Sequence, residues 1–453
     1  MKRYVALAAI AVSSVLSVLW LADRGLGQES RPAGPADKFL RLEDLERMAL
    51  QRNPTVRQAD AVVRGVLGRR TQASFYPNPI VGVQGEDITA REPGRSKYFV
   101  FLQQSIITGS KRRNVREAIQ QELVHAETEQ AMQKQRVVNA VRLLFYEALG
   151  ATRLVEVRRE LARIAGEAVE TSKELFNIGQ ADQPDVIEVE IEAERAQLEG
   201  ASAERDLERV WRALATMVGD PALPRAHLVG DLEAEVPAVD TDAVEAQLLR
   251  DSPELRIARA RIEHAKASLA RTRADRIPNL FVRGGLGYNF ERFARAKDVG
   301  VEAHFEIGMP LPIFDRKQGA IATAEAQLAL AQDELRRAEL ELRTRLDSVV
   351  TRYRDARSIV ERYPREVLLR AQRSYELYLN RFRQMAAAYP QVLIAQRTLG
   401  QARVEYVRAL VDVWQHAVIL RGQLVTDGLT APAPVPGEPP VTIEAVPFTV
   451  TSP

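Results

Sequence analysis

The side chains that most often carry out catalysis are few and widely separated in this chain of 453 residues. No histidine has a second ligand at a spacing typical of a metal site. The five histidines are His125, His227, His264, His304 and His416. Cysteine is absent, which excludes thiolate zinc sites, cysteine nucleophiles and disulfides. No order of Ser, His and Asp resembles a known nucleophile motif. We therefore predict a protein that is not an enzyme and that holds no cofactor or metal ion.

The run Gly284-Gly285-Leu286-Gly287 superficially resembles a loop that binds phosphate. Such a loop needs a helix and a lysine at a set distance after it, and neither follows here. Glycines within a strand explain the run better.

Composition points to long helices. Charged residues make up 27% of the chain and aromatic residues only 6%, as is typical of extended helices and coiled coils. Net charge is +2, and arginines alternate with acidic residues, as between Asp333 and Arg343. This mixture of signs argues against a nucleic-acid partner.

The two ends of the chain differ in composition from its middle. Lys2 and Arg3 precede an apolar run from Tyr4 to Ala22, which predicts a secretory signal peptide over residues 1–27. A retained membrane anchor is the alternative. Residues 28–41 are expected to form an N-terminal extension, and the proline-rich residues 431–453 a disordered tail.

The middle of the chain consists of two similar halves, residues 42–218 and 241–430, joined by a linker over 219–240. Each half has a helix, a Pro-Asn break, a pair of strands, a long helix of about 70 residues and a return helix of about 35. The predicted strands cover about residues 80–88, 97–105, 280–290 and 299–309. The predicted long helices cover about residues 110–178 and 315–384, and the return helices about 184–217 and 390–425. Pro364 lies inside the second long helix, where we expect a kink or a break.

The strands of the second half alternate between apolar and polar side chains, which places the two kinds on opposite faces of a sheet. A half-buried sheet in a soluble protein would alternate in the same way. Strand lengths of about 10 residues and aromatic residues near the ends favour lipid on one face and water on the other. The predicted lipid-facing residues are Val282, Leu286, Tyr288, Val301, Phe305 and Ile307. Because a barrel with a lumen needs about eight strands, several subunits must share it.

The long helices carry apolar residues at spacings of three and four, as in Leu335, Ala338, Leu342 and Leu346. This spacing predicts packing along a seam. An ordinary coiled coil without a pore would show the same pattern.

The order of these elements resembles that of the TolC-like outer-membrane factor family from about Leu42 to Leu429. The resemblance is carried by the duplication, the strand entries Pro77-Asn78-Pro79 and Pro278-Asn279, and the turn segments Phe176-Asn177-Ile178-Gly179 and Tyr389-Pro390-Gln391-Val392. It implies a mainly helical fold with a small transmembrane β part. In a homotrimer, a shared 12-stranded outer-membrane barrel would continue into a periplasmic α-barrel.

The resemblance also implies partners and sites. The periplasmic tip would dock an adaptor (membrane fusion) protein coupled to an inner-membrane RND-type pump. The tip residues are Gly179, Asp182, Pro184, Met385 and Pro390. Family members often carry acidic rings there, and the corresponding positions are Asp185, Glu188 and Gln391. A ring of Asp185 carboxylates would attract cations, whereas an acidic residue that only favours a helix N-terminus is the alternative.

The resemblance therefore predicts an outer-membrane channel that conducts substrates passively from the periplasm, within the heavy-metal cation or drug efflux branch. A protein-secretion duct of type I systems is one alternative. A periplasmic adaptor without a pore is another, and it predicts a single helical hairpin.

Overall fold

The computed structural model describes residues 39–88, 96–234, 236–293, 297–384 and 389–433. The predicted signal peptide, nearly all of the N-terminal extension, most of the tail and the predicted tip residue Met385 lie outside these residues.

Each repeat begins with two helices separated at an X-Pro step. Helices α1 (Leu42–Arg52) and α2 (Pro54–Ser74) meet at Asn53, whose side chain accepts a hydrogen bond from the Thr55 N–H at 2.9 Å. Helices α5 (Thr241–Asp251) and α6 (Pro253–Ala274) meet at Ser252 in the second repeat. Both junction residues have extended backbones, because the proline ring disfavours helical geometry in the residue before it.

Two long helical hairpins follow the strands. In the first, α3 (Lys111–Asn177) has 67 residues, which at 1.5 Å per residue is about 100 Å, and α4 (Gln183–Val218) returns along it. In the second, α7 (Gln318–Arg362), a π-helical turn (Tyr363–Leu368) and α8 (Leu369–Arg383) form one path, and α9 (Tyr389–Arg421) returns. No helix of the described residues is both long and apolar enough to cross a membrane.

Pro364 lies in the π-helical turn, and the helical path continues through it. A proline lacks the N–H that an α-helix needs and clashes with the preceding turn, and a wider π turn relieves both problems. The hydroxyl of Tyr363 donates to Glu405 of α9 at 2.8 Å, which ties this turn to the return helix.

Two helix ends of the second repeat differ by a few residues from the approximate ends predicted. The long helix begins at Gln318 and not at 315, because Asp315 accepts from the Lys317 N–H at 2.8 Å and Lys317 has a φ of 62°. The return helix ends at Arg421 and not at 425, since Gln423 and Leu424 have φ values of 59° and 61° that a right-handed helix excludes.

Four strands form one antiparallel sheet in the order β2-β3-β5-β6. The strands are β2 (Ile80–Glu86), β3 (Lys97–Ile106), β5 (Leu280–Phe293) and β6 (Lys297–Gly308). The short strands β1 (Phe39–Leu40) and β4 (His227–Leu228) lie elsewhere, where the Val229 N–H donates to the Leu40 carbonyl at 3.0 Å. The central contact of the large sheet pairs β3 of the first repeat with β5 of the second, and so joins the repeats.

The core lies between the helices. A first cluster around Val141, Trp211 and Leu214 packs α1, α3 and α4 together, and a second around Leu342, Tyr353 and Leu410 packs α7 against α9. The clusters meet where the rings of Tyr146 and Trp414 stack with centroids 4.4 Å apart. The Tyr353 hydroxyl, which donates to the Pro237 carbonyl at 2.6 Å, also holds the inter-repeat linker against this core.

Candidate functional site: the sheet faces and the hairpin tips

One face of the four-stranded sheet is apolar and exposed. The strand register places Val100 beside Leu286, Leu286 beside Ala303, and Tyr288 beside Val301, so that apolar side chains run without interruption across β3, β5 and β6. Val81 and Val83 of β2 extend the face to the sheet edge. Val301 and Phe305 are 75% and 71% exposed. An apolar surface of this extent marks contact with a partner or a membrane.

All six predicted lipid-facing residues lie on this face. Val282 is half-buried and pairs with Ile307, and the other five are exposed. In the first repeat, the register with β5 assigns Tyr98, Val100 and Leu102 to the same face.

The opposite face of the sheet is polar and interconnected. The Arg283 guanidinium is buried, lies 3.8 Å from the centroid of the Phe101 ring and 3.8 Å from the Glu306 carboxylate, and donates to the Gln84 side chain. On the same face, the Asn289 amide donates to Glu302 at 2.9 Å. Sequence reasoning missed this network, since its members come from four different strands.

Phe99 and Phe101 interrupt the alternation of β3 and project from the polar face. A Cβ at Gly287 would overlap the Phe99 ring, and a Cβ at Gly82 would overlap the Phe101 ring. Each ring therefore lies over a glycine of a neighbouring strand. The ring covers the backbone that the glycine, having no side chain, leaves exposed. The glycines at paired positions were the signal that could have predicted it.

The two outer strands of the sheet leave open edges. Within the described residues, β2 pairs only with β3 and β6 only with β5. An edge strand presents unpaired N–H and C=O groups that favour pairing with another strand.

The tip of the first hairpin is a tight turn. Gly179 has a φ of 74°, its N–H donates to the Phe176 carbonyl at 3.0 Å, and the Gln180 N–H donates to Leu175 at 2.8 Å. Such a left-handed residue ends a helix and satisfies its last carbonyls. Asp182 occupies the N-cap of α4, and Pro184 lies in its first turn.

The predicted ring residues lie close to the tips of the two hairpins. Asp185 is half-exposed in the first turn of α4, Glu188 is exposed about one turn further, and Gln391 is exposed in the first turn of α9. The predicted tip residue Pro390 lies beside Tyr389 at the start of α9.

The two hairpin tips pack on each other. Tyr389 is buried with Val189 and Leu393 in one cluster that spans α4 and α9, and burial raises the pKa of the Tyr389 hydroxyl. The Arg397 guanidinium of α9 binds the Glu192 carboxylate of α4 with distances of 2.7 and 3.0 Å. Sequence reasoning did not anticipate this ion pair.

The described residues contain no group of three or more His, Asp or Glu side chains placed to hold a metal ion. His125 is buried, and His264 lies 3.2 Å from the Glu122 carboxylate between α6 and α3. Burial lowers the pKa of the His125 imidazole.

Known proteins share this arrangement. The structure is similar to that of the outer membrane protein VceC from Vibrio cholerae, with a TM-score of 0.71 and 18% identity, over 85% of this chain and 96% of that one. It is also similar to the open state of the MtrE outer membrane channel of Neisseria gonorrhoeae, with a TM-score of 0.67 and 18% identity, over 86% and 90% of the two chains. These similarities confirm the predicted mainly helical fold with duplicated hairpins.

Sequence comparison gives a relative and a family. The cobalt-zinc-cadmium resistance protein CzcC of Cupriavidus metallidurans is 27% identical over 276 residues, which are 61% of this chain and 64% of that protein, a little under two thirds of its length. The profile of the family described as outer membrane efflux protein matches residues 45–220 and 245–424, one segment for each repeat. With most of its length matched, and in agreement with the resemblance predicted from its sequence, the chain belongs to the outer membrane efflux protein family.

Proposed function

We propose that the protein is the outer-membrane channel of a tripartite efflux system and conducts substrates passively from the periplasm to the exterior. The observation that carries this proposal is the four-stranded sheet with one continuous apolar face, one polar face and two open edges. A closed barrel in a bilayer requires lipid outside, water inside and no unpaired edge.

Trimerisation satisfies all three requirements. Four strands are too few to enclose a lumen, whereas three chains supply twelve strands and pair each β2 edge with the β6 edge of a neighbour. The face with Arg283, Glu302 and Glu306 then lines the channel, and the apolar face contacts lipid. The long helices of three chains continue this path as an α-barrel in the periplasm.

The hairpin tips form the periplasmic end. We propose that an adaptor protein docks on the surface around Gly179, Asp182, Pro184 and Pro390, with Met385 in the second hairpin. We propose that an inner-membrane pump of the RND type, reached through the adaptor, supplies the energy.

Asp185, Glu188 and Gln391 are proposed as the polar constriction at this end. Three copies of each carboxylate around one axis repel one another and attract cations, a general means of charge selection in pores. The half-exposed position of Asp185 in the first turn of α4 is compatible with this role.

For the substrate we propose divalent heavy-metal cations. CzcC, by its name a cobalt-zinc-cadmium resistance protein, supports this class. Small drugs are the alternative substrate class, and the tests must distinguish them from metal cations. In cells that lack the chromosomal copy, sensitivity to zinc and cobalt salts would support the metal class, and sensitivity to dyes or antibiotics alone would contradict it.

The channel itself is tested by reconstituting the purified full-length chain in planar bilayers. We expect a particle of three chains in detergent and stepwise conductance in the bilayer. A monomer that stays in solution without detergent and gives no conductance would refute the proposal.

A further inference from the structure

Basic residues concentrate where the strands meet the helices. The four connecting segments, residues 68–79, 109–117, 270–279 and 313–319, carry eleven Lys and Arg against three Asp and Glu. Their net charge is therefore +8, although the net charge of the whole chain is +2. If the strands span the outer membrane as proposed, these segments lie at its periplasmic surface.

Both long helices start in this region with unfavourable electrostatics. The N-caps Ser110 of α3 and Lys317 of α7 have left-handed backbones and make no side-chain cap, and neither first turn contains an acidic residue. A helix N-terminus carries partial positive charge and favours anions. Placing Lys111 and Arg112 there adds cations to an end that is already positive, which an external anion would offset.

A pocket of about 370 Å³ opens beside the first of these helix starts, between α2, α3 and α6. We call it the junction pocket. Its lining combines cations with apolar walls. The cations are Arg69, Lys111, Arg112 and Arg271, and the walls include Tyr76 and Ile119.

The acidic residues of the junction pocket do not balance its cations. Glu122 is already bound by Arg69 at 2.7 Å and by His264 at 3.2 Å. The other acidic residue of the lining is Asp275, whose charge acts on Lys111. The Nε atoms of Arg69 and Arg112 are buried and have no hydrogen-bond acceptor among the described residues. Burial also lowers the pKa of the Lys111 ammonium, which Asp275 opposes.

The junction pocket lies on the side of the apolar sheet face. Gln104, which the register places beside Val282 of that face, donates to the Pro77 carbonyl at 3.0 Å, and Pro77 lines the pocket. Next to it, the Arg112 guanidinium stacks 3.8 Å above the Tyr76 ring, and Tyr76 is 58% exposed. Aromatic residues of this kind are enriched at the level of lipid headgroups.

The other side of the α2–α3 pair is different. A second cleft there is lined by Arg70, Arg113, Arg116 and Glu117, and Leu67 is the one apolar side chain in its lining. The two sides of this helix pair therefore differ in polarity, as the two faces of the sheet do. In the proposed channel the more polar side faces water.

We propose that the junction pocket binds the phosphate of an anionic phospholipid from the periplasmic leaflet of the outer membrane. This rests on the proposed membrane channel. Lys111 and Arg112 contact the phosphate together with the free N–H groups of the first α3 turn, and the apolar walls take the start of an acyl chain. Such a lipid fixes the depth at which the barrel sits and neutralises the helix start.

The test compares two double variants of the full-length chain, delipidated in detergent, by native mass spectrometry with added phosphatidylglycerol. Lys111→Gln with Arg112→Gln removes two charges from the junction pocket, and Arg113→Gln with Arg116→Gln removes two from the polar side of the same helix. We expect the first pair to weaken phosphatidylglycerol binding about 100-fold, as two lost charge-assisted contacts at about tenfold each. The second pair should change it less than about twofold.

If both double variants weaken phosphatidylglycerol binding equally, the proposal is overturned, because the lipid then binds to the overall basic surface and not to the junction pocket. Equal binding of phosphatidylcholine by the unaltered chain would also overturn it, as would competition by inorganic phosphate at the same concentrations as the lipid. Far-UV circular dichroism checks folding, and the single Arg112→Gln variant replaces the pair if the pair does not fold. Conductance of the unaltered chain in phosphatidylcholine bilayers separates failure of this site from failure of the channel.

Discussion

Replacing Leu286 by arginine distinguishes lipid from water at the apolar face. Leu286 lies in the middle of β5, is 66% exposed and has Val100 and Ala303 beside it on the neighbouring strands. Because it is exposed, the arginine side chain meets no packed core, and in water the change would alter the free energy of unfolding by less than about 0.5 kcal/mol. Near the middle of a bilayer the same change costs about 2–4 kcal/mol per chain.

The control is His304→Arg. His304 is exposed on β6 and projects from the opposite face, in register with Gly285. If this face lines an aqueous lumen, an arginine at position 304 stays hydrated. The substitution should then lower the free energy of unfolding by less than about 0.5 kcal/mol.

The assay is urea titration of each variant folded into phosphatidylcholine vesicles, followed by the mobility shift between folded and unfolded chain. We expect Leu286→Arg to shift the midpoint and His304→Arg to leave it in place. Equal stability of the two variants, or a larger loss for His304→Arg, would refute the assignment of the two faces.

Three further predictions concern the hairpin tips. Gly179→Ala should lower the free energy of unfolding by about 1–2 kcal/mol, measured by heat or urea, because Gly179 has a φ of 74° that alanine disfavours. Its control, Gly166→Ala inside α3, should raise the free energy of unfolding by up to about 1 kcal/mol, because the added methyl group meets no other atom. Asp185→Ala should lower the preference of single channels for cations. Arg397→Gln should cost about 1 kcal/mol by loss of the partly exposed pair with Glu192, and should raise the fraction of time that the channel is open because it loosens the tip.

Each of these has an outcome that would contradict it. Unchanged selectivity in both Asp185→Ala and Glu188→Ala would remove the proposed ring and leave the acidic residues as helix-start residues. Arg336→Gln removes an ion pair in which both side chains are more than 70% exposed and is the control for Arg397→Gln. If both arginine variants have the same stability and the same open fraction, the Arg397 pair does not hold the tip. A stabilising Gly179→Ala would show that the turn does not need a left-handed residue.

Local periodicity explains what could be predicted. The alternation of Val282, Leu286 and Tyr288 against Arg283 and the three- and four-residue spacing of the long helices depend only on backbone geometry, so one stretch of chain is enough to detect them. The duplicated order of elements is likewise visible along the chain, and it led to the family.

Contacts between residues far apart in sequence could not be predicted from local periodicity. Phe99 and Phe101 looked misplaced until the register with Gly287 and Gly82 was known. At Pro364 the sequence is compatible with a kink, a break or a widened turn. The structure has a widened turn, and the neighbouring Tyr363 hydroxyl donates to Glu405 of α9.

The sequence by itself therefore determined the order of elements, the two-sided strands and the membership of the family, because these follow from neighbours along one chain. Only the tertiary structure decided that β3 pairs with β5, that Arg283 meets Glu306 and Gln84, and that Arg397 holds Glu192. Those contacts join residues about 20 to 200 positions apart on separate elements. Their geometry depends on register and packing, which no local pattern encodes.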